Sequence, residues 1–356
     1  SQNLTKSPIE RILQSKHYFQ MFSRSTRVLV SKRSFSSISE TDPVAFLGLG
    51  AMGYNMAGNM AKNTDNMLVW NRTRSVAERH AKEHGTNVMN LDADGSLPQL
   101  GDVRAVFMCL PTSDEVDLVL KQTSHHLRPG TIVVDCTSGN PKQSRDICDR
   151  LMQDHGVHFV DCAVSGGPAG AGEGTLGAFI GADEEKTYLN VEEDIRCFAK
   201  KLVHLGPASS GHATKAINNV LNVTNLLCCA EGLLALRKLG ISPDKALAVI
   251  NESSGRSLQS TVRIPTEVIS REFNYGFQLG LMQKDVNIAN SIMDENFHNA
   301  SISRNTKRLM DLYLKEQPDA FHKDYTEICK ILEIQSGATL TVEDPEVSSE
   351  EGSVSG

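Results

Sequence analysis

The sequence feature that most constrains the fold is a glycine-rich turn between an apolar strand and a helix. Residues 44–47 read Val-Ala-Phe-Leu, a GxGxxG pattern follows at once, and residues 54–62 continue as a predicted helix. In this context the glycines let the backbone approach a pyrophosphate at the N-terminus of a helix. The pattern therefore predicts a dinucleotide-binding βαβ unit, and a glycine-rich turn of another αβ unit is the alternative. The candidate cofactor contacts in the turn are Gly48, Leu49, Gly50, Ala51, Met52 and Gly53.

Strands and helices alternate after this turn, which predicts a doubly wound parallel sheet of the Rossmann type. Apolar segments at 67–70, 104–110, 131–135 and 157–161 predict strands, and 115–122 and 141–155 predict helices between them. Ligands bind beyond the carboxyl ends of such strands, so residues at those ends are further candidate cofactor contacts. These candidates are Asn71, Arg72, Thr73, Leu110, Pro111 and Ser138.

The second strand ends without the acidic residue that would bind both ribose hydroxyls of NAD. The sequence there reads Asn71-Arg72-Thr73-Arg74. A guanidinium group can pair with a 2′-phosphate through two parallel hydrogen bonds. NADP is therefore the favoured cofactor and NAD the alternative, while a surface arginine pair opening a helix is the purely structural interpretation.

A serine followed by two glycines stands at the end of the strand predicted at 157–161. The segment 161–176 reads DCAVSGGPAGAGEGTL. Ser165, Gly166 and Gly167 can present a hydroxyl and free backbone N–H groups to an anion such as a carboxylate. These three residues are candidate substrate contacts, with a flexible glycine-rich linker as the alternative.

A long apolar run between Gly206 and Gly240 predicts a helix that crosses a whole domain. Polar residues recur along it at steps of three and four and so share one face. That stripe fits a cleft, in which burial lowers the pKa of a lysine so that it can transfer protons near neutral pH. It fits a solvated face of an amphipathic helix equally well. The stripe consists of Lys215, Asn218, Asn219, Asn222 and Asn225.

Four motifs occur in an order that resembles the β-hydroxyacid dehydrogenase family, a part of the 6-phosphogluconate dehydrogenase-like superfamily. They are FLGLGAMG at 46–53, DCAVSGGPAGAGEGTL at 161–176, GHATKAINN at 211–219 and GLMQKDVNIA at 280–289. The resemblance implies that Lys215 and Asn219 are catalytic and that Lys284 reaches the nicotinamide end of the cofactor. It implies that the carboxylate of a small 3-hydroxy acid, or of its aldehyde, binds at Ser165, Gly166 and Gly167.

The resemblance also implies two domains joined by the long helix. A dinucleotide-binding domain is expected at 43–205 and an all-α substrate and oligomerisation domain at 206–335, in a homodimer or homotetramer. Helices are predicted at 241–251, 264–271, 280–294 and 303–315.

The segment 251–257, NESSGRS, resembles most the family members that act on 3-hydroxyisobutyrate. This implies oxidation of 3-hydroxyisobutyrate to methylmalonate semialdehyde in valine breakdown, with Lys215 as general acid and base. The chain departs from those members because it lacks their usual tryptophan after Arg256. Arg72 favours a second interpretation, an NADPH-dependent reductase of succinic semialdehyde or glyoxylate. A non-catalytic cofactor-sensing protein on the same fold is the alternative from another class.

Composition and the two termini set the remaining expectations. A formal net charge of −7 leaves no basic surplus for nucleic acid, and the charged and amide side chains of the long run argue against a membrane partner. Eight scattered cysteines form no metal-like cluster, so no metal is predicted. The leader at 1–40 is basic and serine-rich from Met21, which predicts a transit peptide and a location in the mitochondrial matrix. If the leader is not a transit peptide, the expected location is the cytoplasm. Residues 336–356 predict a disordered acidic tail.

Overall fold

The computed structural model describes residues 38–297 and 299–341. Most of the predicted leader, including Met21, and residues 342–356 of the predicted tail lie outside the described residues. Within them, eight strands form one sheet. The strands are β1 (Val44–Leu47), β2 (Leu68–Trp70), β3 (Asn87–Val88), β4 (Ala105–Met108), β5 (Ile132–Asp135), β6 (His158–Ser165), β7 (Leu176–Gly181) and β8 (Ala199–His204).

The strands follow the spatial order β3-β2-β1-β4-β5-β6-β7-β8, and every neighbouring pair except β6 and β7 is parallel. The order reverses between β1 and β4, which is the crevice where doubly wound sheets bind dinucleotides. Strands β1, β4 and β5 are buried along their whole length because helices cover both faces of the sheet. The predicted fold class, a Rossmann-type sheet followed by a helical region, is confirmed.

Seven helices surround the sheet in the described part of the chain. Alternating side chains point to opposite faces, so Phe46 and Phe107 pack on one face and Ala45 and Val106 on the other. The helices are α1 (Gly53–Ala61), α2 (Arg74–His84), α3 (Ser113–Thr123), α4 (Pro141–His155), α5 (Gly167–Glu173), α6 (Glu185–Leu189) and α7 (Glu192–Arg196).

Strand β6 is longer than its apolar pattern predicts. It continues to Ser165 because residues 161–165 pair antiparallel with 177–181 in β7. The glycine-rich β7, with sequence LGAFIG, carries little strand propensity and was not predicted. The segment for which a flexible linker was the alternative is therefore the end of a strand followed by the short helix α5.

The long helix, α8 (Ser210–Lys238), packs against β6 and β7 of the sheet and against the helices that follow it. By length and composition it is the one helix of the described part of the chain that could cross a membrane. It contacts the sheet and the other helices as a core helix does, and core helices also meet these criteria of length and composition. The helices that follow it are α9 (Pro243–Ile250), a π-helix (Gln259–Ile269), α10 (Leu279–Asn296), α11 (Ser301–Glu316) and α12 (Cys329–Ser336).

The described residues belong to one compact unit, and the predicted boundary at 205/206 falls between β8 and α8. The tail predicted from residue 336 is wrong for residues 336–341. Leu340 is fully buried in the helical core, its N–H donates to Glu333 Oε1 at 2.9 Å, and Arg237 donates to the carbonyl of Thr341 at 2.9 Å. These contacts hold the chain as far as Thr341.

Candidate active site

Of the three glycines in the turn after β1, only the middle one has open space beside it. A Cβ atom at Gly48, where φ is +96°, would lie 2.4 Å from the Cys109 carbonyl oxygen. A Cβ atom at Gly53 would lie 2.0 Å from the Gly48 carbonyl oxygen. At Gly50 a Cβ atom would meet nothing within 4 Å. The outer glycines therefore close the turn, and the middle one faces open space, as the approach of a pyrophosphate requires.

Asn71 ties this turn to the end of β2. Its Oδ1 accepts from the N–H of Leu49 at 3.0 Å, and its Nδ2 donates to the carbonyl of Thr73 at 3.0 Å. The next residue, Arg72, is exposed and has no hydrogen-bond or ion-pair partner among residues 38–297 and 299–341. Arg74 differs, because it pairs with a glutamate of its own helix. Asn71 thus braces the turn, and Arg72 is available to a ligand.

Ser138, predicted from its place at a strand end, and Lys284, predicted from a distant motif, meet at the carboxyl edge of the sheet. The Lys284 ammonium donates to the Ser138 carbonyl and lies 3.0 Å from Asp285 Oδ1. The Ser138 hydroxyl lies 3.0 Å from each carboxylate oxygen of Asp285. Nearby, the N–H of Leu110 donates to Thr137 Oγ1 at 3.1 Å, and Pro111 is exposed beside it. The loops after β4 and β5 are therefore joined to helix α10.

Asp285 follows Lys284 in the motif GLMQKDVNIA and was not predicted as a site residue. It is 1% exposed, and it also accepts from Asn219 Nδ2 at 2.5 Å. Asn219 in turn accepts from Asn218 Nδ2 at 3.2 Å. One buried carboxylate therefore holds together a candidate catalytic residue of α8 and two candidate cofactor residues. Its place beside Lys284 in the motif GLMQKDVNIA was the signal that could have found it.

Lys215 lies one turn before Asn219 on the same face of α8 and is half-buried. Burial lowers its pKa from 10.5 to about 8, with the Lys284 charge acting in the same direction and the Asp285 carboxylate opposing it. A lysine with this pKa holds both amine and ammonium forms near neutral pH. Asn225, three turns further on, is exposed. The polar stripe is thus buried or half-buried from Lys215 to Asn222 and exposed at Asn225.

The first turn of α8 is held by a carboxylate from the sheet. Asp161 Oδ1 accepts from the N–H of Ser209 at 2.6 Å, and Oδ2 accepts from the N–H of His212 at 2.8 Å. Burial raises the pKa of Asp161, and the neighbouring His212 opposes that rise. The His212 ring is fully buried, with Nδ1 2.6 Å from Ser144 Oγ and Nε2 3.3 Å from the carbonyl of Asp135. His212 therefore anchors the helix, three residues before Lys215.

The predicted anion-binding residues lie at the end of β6 and the start of α5. Ser165 is half-buried, and the φ angles of Gly166 and Gly167 are +138° and +69°, values that favour glycine. A Cβ atom at Gly167 would lie 2.8 Å from the Tyr275 hydroxyl, so this phenol of the helical region closes over the turn. Nothing in the sequence singled out Tyr275.

Metal chemistry was not expected from the sequence. In the described ranges, no group of three or more histidine, cysteine, aspartate or glutamate side chains is arranged to hold a metal ion.

Two family models match the chain over almost the whole described region. Residues 43–206 match the NAD binding domain of 6-phosphogluconate dehydrogenase. Residues 209–332 match a model described as the NAD-binding domain of NADP-dependent 3-hydroxyisobutyrate dehydrogenase.

Similar proteins have related names. A probable mitochondrial 3-hydroxyisobutyrate dehydrogenase of Dictyostelium discoideum is 31% identical over 287 residues, which cover 76% of this chain and 85% of that relative. A 2-(hydroxymethyl)glutarate dehydrogenase of Eubacterium barkeri is 28% identical over 69% of this chain and 80% of its own length. The solved structure of Mycobacterium tuberculosis 3-hydroxyisobutyrate dehydrogenase with L-serine has a TM-score of 0.73 at 24% identity, covering 82% of this chain and 99% of that one. That likeness supports the fold.

Proposed function

This chain belongs to the family of NAD(P)-dependent 3-hydroxyacid dehydrogenases, and from that premise we propose that it oxidises 3-hydroxyisobutyrate to methylmalonate semialdehyde with Lys215 as the general base. The observation that carries the proposal is the partly desolvated Lys215 ammonium, whose pKa is lowered to about 8 beside the Asp285 carboxylate. An alcohol oxidation near neutral pH needs a base of this kind. The family is one of enzymes, so the non-catalytic alternative is set aside.

In this proposal the chain's own residues move one proton and fix the reacting carbon. The neutral Lys215 amine takes the hydroxyl proton in oxidation, and the ammonium returns it in reduction; such help is typically worth about 10²- to 10⁴-fold. Asn219 donates a hydrogen bond that orients the substrate, and Asp285 fixes the Asn219 side chain. The chemistry that bound NAD(P) supplies is hydride acceptance in oxidation and hydride donation in reduction.

We assign the substrate carboxylate to the turn at the end of β6. Ser165 offers a hydroxyl, and the backbone N–H groups of Gly166 and Gly167, both at positive φ angles, are the further donors that we assign to the anion. The Eubacterium barkeri relative is named for a 3-hydroxy acid with a larger substituent. Its name supports a site that accepts 3-hydroxy acids differing at carbon 2.

NADP is the proposed cofactor. The support is Arg72, which is exposed beside the cofactor turn and has no partner in the described part of the chain. The same observation favours the second candidate, an NADPH-dependent reductase of succinic semialdehyde or glyoxylate. A homo-oligomer and a location in the mitochondrial matrix complete the proposal. The latter rests on the composition of the leader and on the naming of the Dictyostelium discoideum relative as mitochondrial.

The test is an assay of the purified chain with both cofactors against a panel of 3-hydroxy acids and their aldehydes. We expect oxidation of 3-hydroxyisobutyrate with NADP, and a shift toward NAD in the Arg72→Gln variant. Exposed Arg308→Gln serves as the matched control, with unchanged cofactor preference. Turnover confined to glyoxylate or succinic semialdehyde would select the second candidate, and turnover of no panel member would contradict both.

A further inference from the structure

An arginine of the π-helix stands one aromatic ring away from the proposed carboxylate site. The Arg263 guanidinium carbon lies 3.5 Å from the ring centroid of Tyr275. The hydroxyl of Tyr275 approaches Gly167 so closely that a Cβ atom there would be 2.8 Å from it. Both Arg263 and Tyr275 are half-buried, so each side chain keeps part of its surface exposed.

The surroundings of Arg263 are fixed by contacts that involve Tyr325, Asn222 and Gln259. The Tyr325 ring packs edge-on against Tyr275 with centroids 5.9 Å apart, and its hydroxyl donates to Asn222 Oδ1 at 3.3 Å. Gln259, from the first turn of the π-helix, donates to the same Asn222 oxygen. Asn222 follows Lys215 by seven residues, two turns along the same face of α8. The π-helix that carries Arg263 is thus hydrogen-bonded, from Gln259 to Asn222, to the face of α8 that carries Lys215.

Arg263 lacks the acidic partner that neighbouring arginines have. In the helical region Arg271 pairs with Glu333 and Arg304 with Asp294. Within residues 38–297 and 299–341, no carboxylate lies within ion-pair distance of Arg263, whose neighbours are the phenols Tyr275 and Tyr325. A planar guanidinium preorganised by stacking is well suited to bind a carboxylate through two hydrogen bonds.

We propose that Arg263 recognises a second anionic group on the substrate, so that the chain, besides oxidising 3-hydroxyisobutyrate, acts with a higher kcat/KM on a 3-hydroxy acid whose carbon 2 carries a carboxyalkyl group. This inference rests on the proposed function, in which the first carboxylate binds at Ser165 to Gly167 and the hydroxyl binds at Lys215. These two contacts leave the carbon 2 substituent as the free arm of the molecule. Arg263 is separated from Gly167 by the Tyr275 ring; it donates a hydrogen bond to Tyr325 and has no acidic partner among the described residues.

The test compares two substrates that differ only in that substituent. They are 3-hydroxy-2-methylpropanoate and 2-(hydroxymethyl)butanedioate, with the distal monoamide of the second as a neutral analogue. We expect the wild type to favour the diacid in kcat/KM over both. In Arg263→Gln the ratio of diacid to monoacid should fall about 10- to 100-fold, mostly through KM, because a charge-assisted hydrogen-bonded pair is lost. Because both acids are assayed with the same protein preparation, the ratio of their kcat/KM values does not depend on the fraction of that protein that is folded.

Arg308→Gln on helix α11 is the matched control and should leave the ratio unchanged. A wild type indifferent to the second carboxylate, or an Arg263→Gln variant that loses the same factor on both acids, would overturn the inference. As a second measurement, calorimetry on the cofactor complex gives the dissociation constants of the two acids, and their ratio should change in Arg263→Gln in the same direction as the kcat/KM ratio. Absence of turnover would contradict the proposed function, whereas an unchanged ratio of dissociation constants would contradict the role of Arg263.

Discussion

Replacing the proposed base should make the protein inactive and, at neutral pH, more stable. Holding the Lys215 pKa at about 8 instead of 10.5 corresponds to about 3.4 kcal/mol of unfavourable burial of the charged form. The side chain is only half-buried, so solvent screening reduces this to ~1–3 kcal/mol. The Lys215→Met variant keeps the length of the side chain and removes the charge. We therefore expect its free energy of unfolding at pH about 7 to exceed that of the wild type by this amount.

The gain should vanish as the pH rises. Below pH 8 the lysine is charged in both the folded and the unfolded wild type, and the full cost is present. Between about 8 and 10.5 the unfolded chain binds more protons than the folded one, so the stability of the wild type increases with pH. The difference between Lys215→Met and the wild type should therefore approach zero near the upper end of that window.

The assay is urea unfolding of the cofactor-free protein at pH about 7 and about 10, followed by circular dichroism at one protein concentration. The Lys245→Met variant is the control, since it removes a lysine that is exposed in the folded protein, and it should change the free energy of unfolding by less than about 0.5 kcal/mol. A Lys215→Met variant that is less stable than the wild type at both pH values would refute the reasoning, because the ammonium would then be stabilised in the folded protein.

Two further predictions concern the buried carboxylate and the leader. Asp285→Asn removes the negative charge that raises the Lys215 pKa, so the midpoint of the pH profile for oxidation should move below that of the wild type. Because the contact to Asn219 weakens, kcat/KM should also fall by about 10-fold or more. A midpoint that moves upward would contradict the first expectation. A fluorescent protein carrying residues 21–42 at its N-terminus is expected in mitochondria, and the same fusion with glutamine at all four basic positions of 21–39 is expected in the cytoplasm. Cytoplasmic fluorescence of the first fusion would exclude the address.

The sequence was sufficient for the parts of the fold that depend on local pattern. Strand β1 and helix α4 begin and end where apolar runs, an N-terminal proline and a terminal glycine predict. Strand β7 was missed because its glycine and alanine residues carry little strand signal, and it forms through pairing with β6. The π-helix begins at Gln259, five residues before the predicted helix, and contains Pro265, which cannot donate a backbone hydrogen bond.

The site shows the same division between local and distant signals. Gly48, Gly50 and Gly53 could be assigned because the strand, turn and helix are consecutive in the chain. Contacts between distant segments could not be read from spacing, since no periodicity links Asp285 to Ser138 or Tyr275 to Gly167. Those contacts exist because α8 lies across the sheet edge and brings the helices after it against the loops after β5 and β6.

The position of Lys215, the proposed base, therefore depends on the contacts between the sheet and the first turn of α8. Asp161 projects from β6 and accepts two N–H groups at the first turn of the helix, so the rotation of α8 about its axis is fixed by a residue of the sheet. A Cβ atom at Gly211 would lie 2.3 Å from the Phe179 carbonyl of β7, which shows how closely the helix approaches the sheet there. Rotation by one residue, about 100°, would turn Lys215 away from Asp285. Asp161 of β6, together with the close approach of Gly211 to β7, thus sets the orientation on which the chemistry depends.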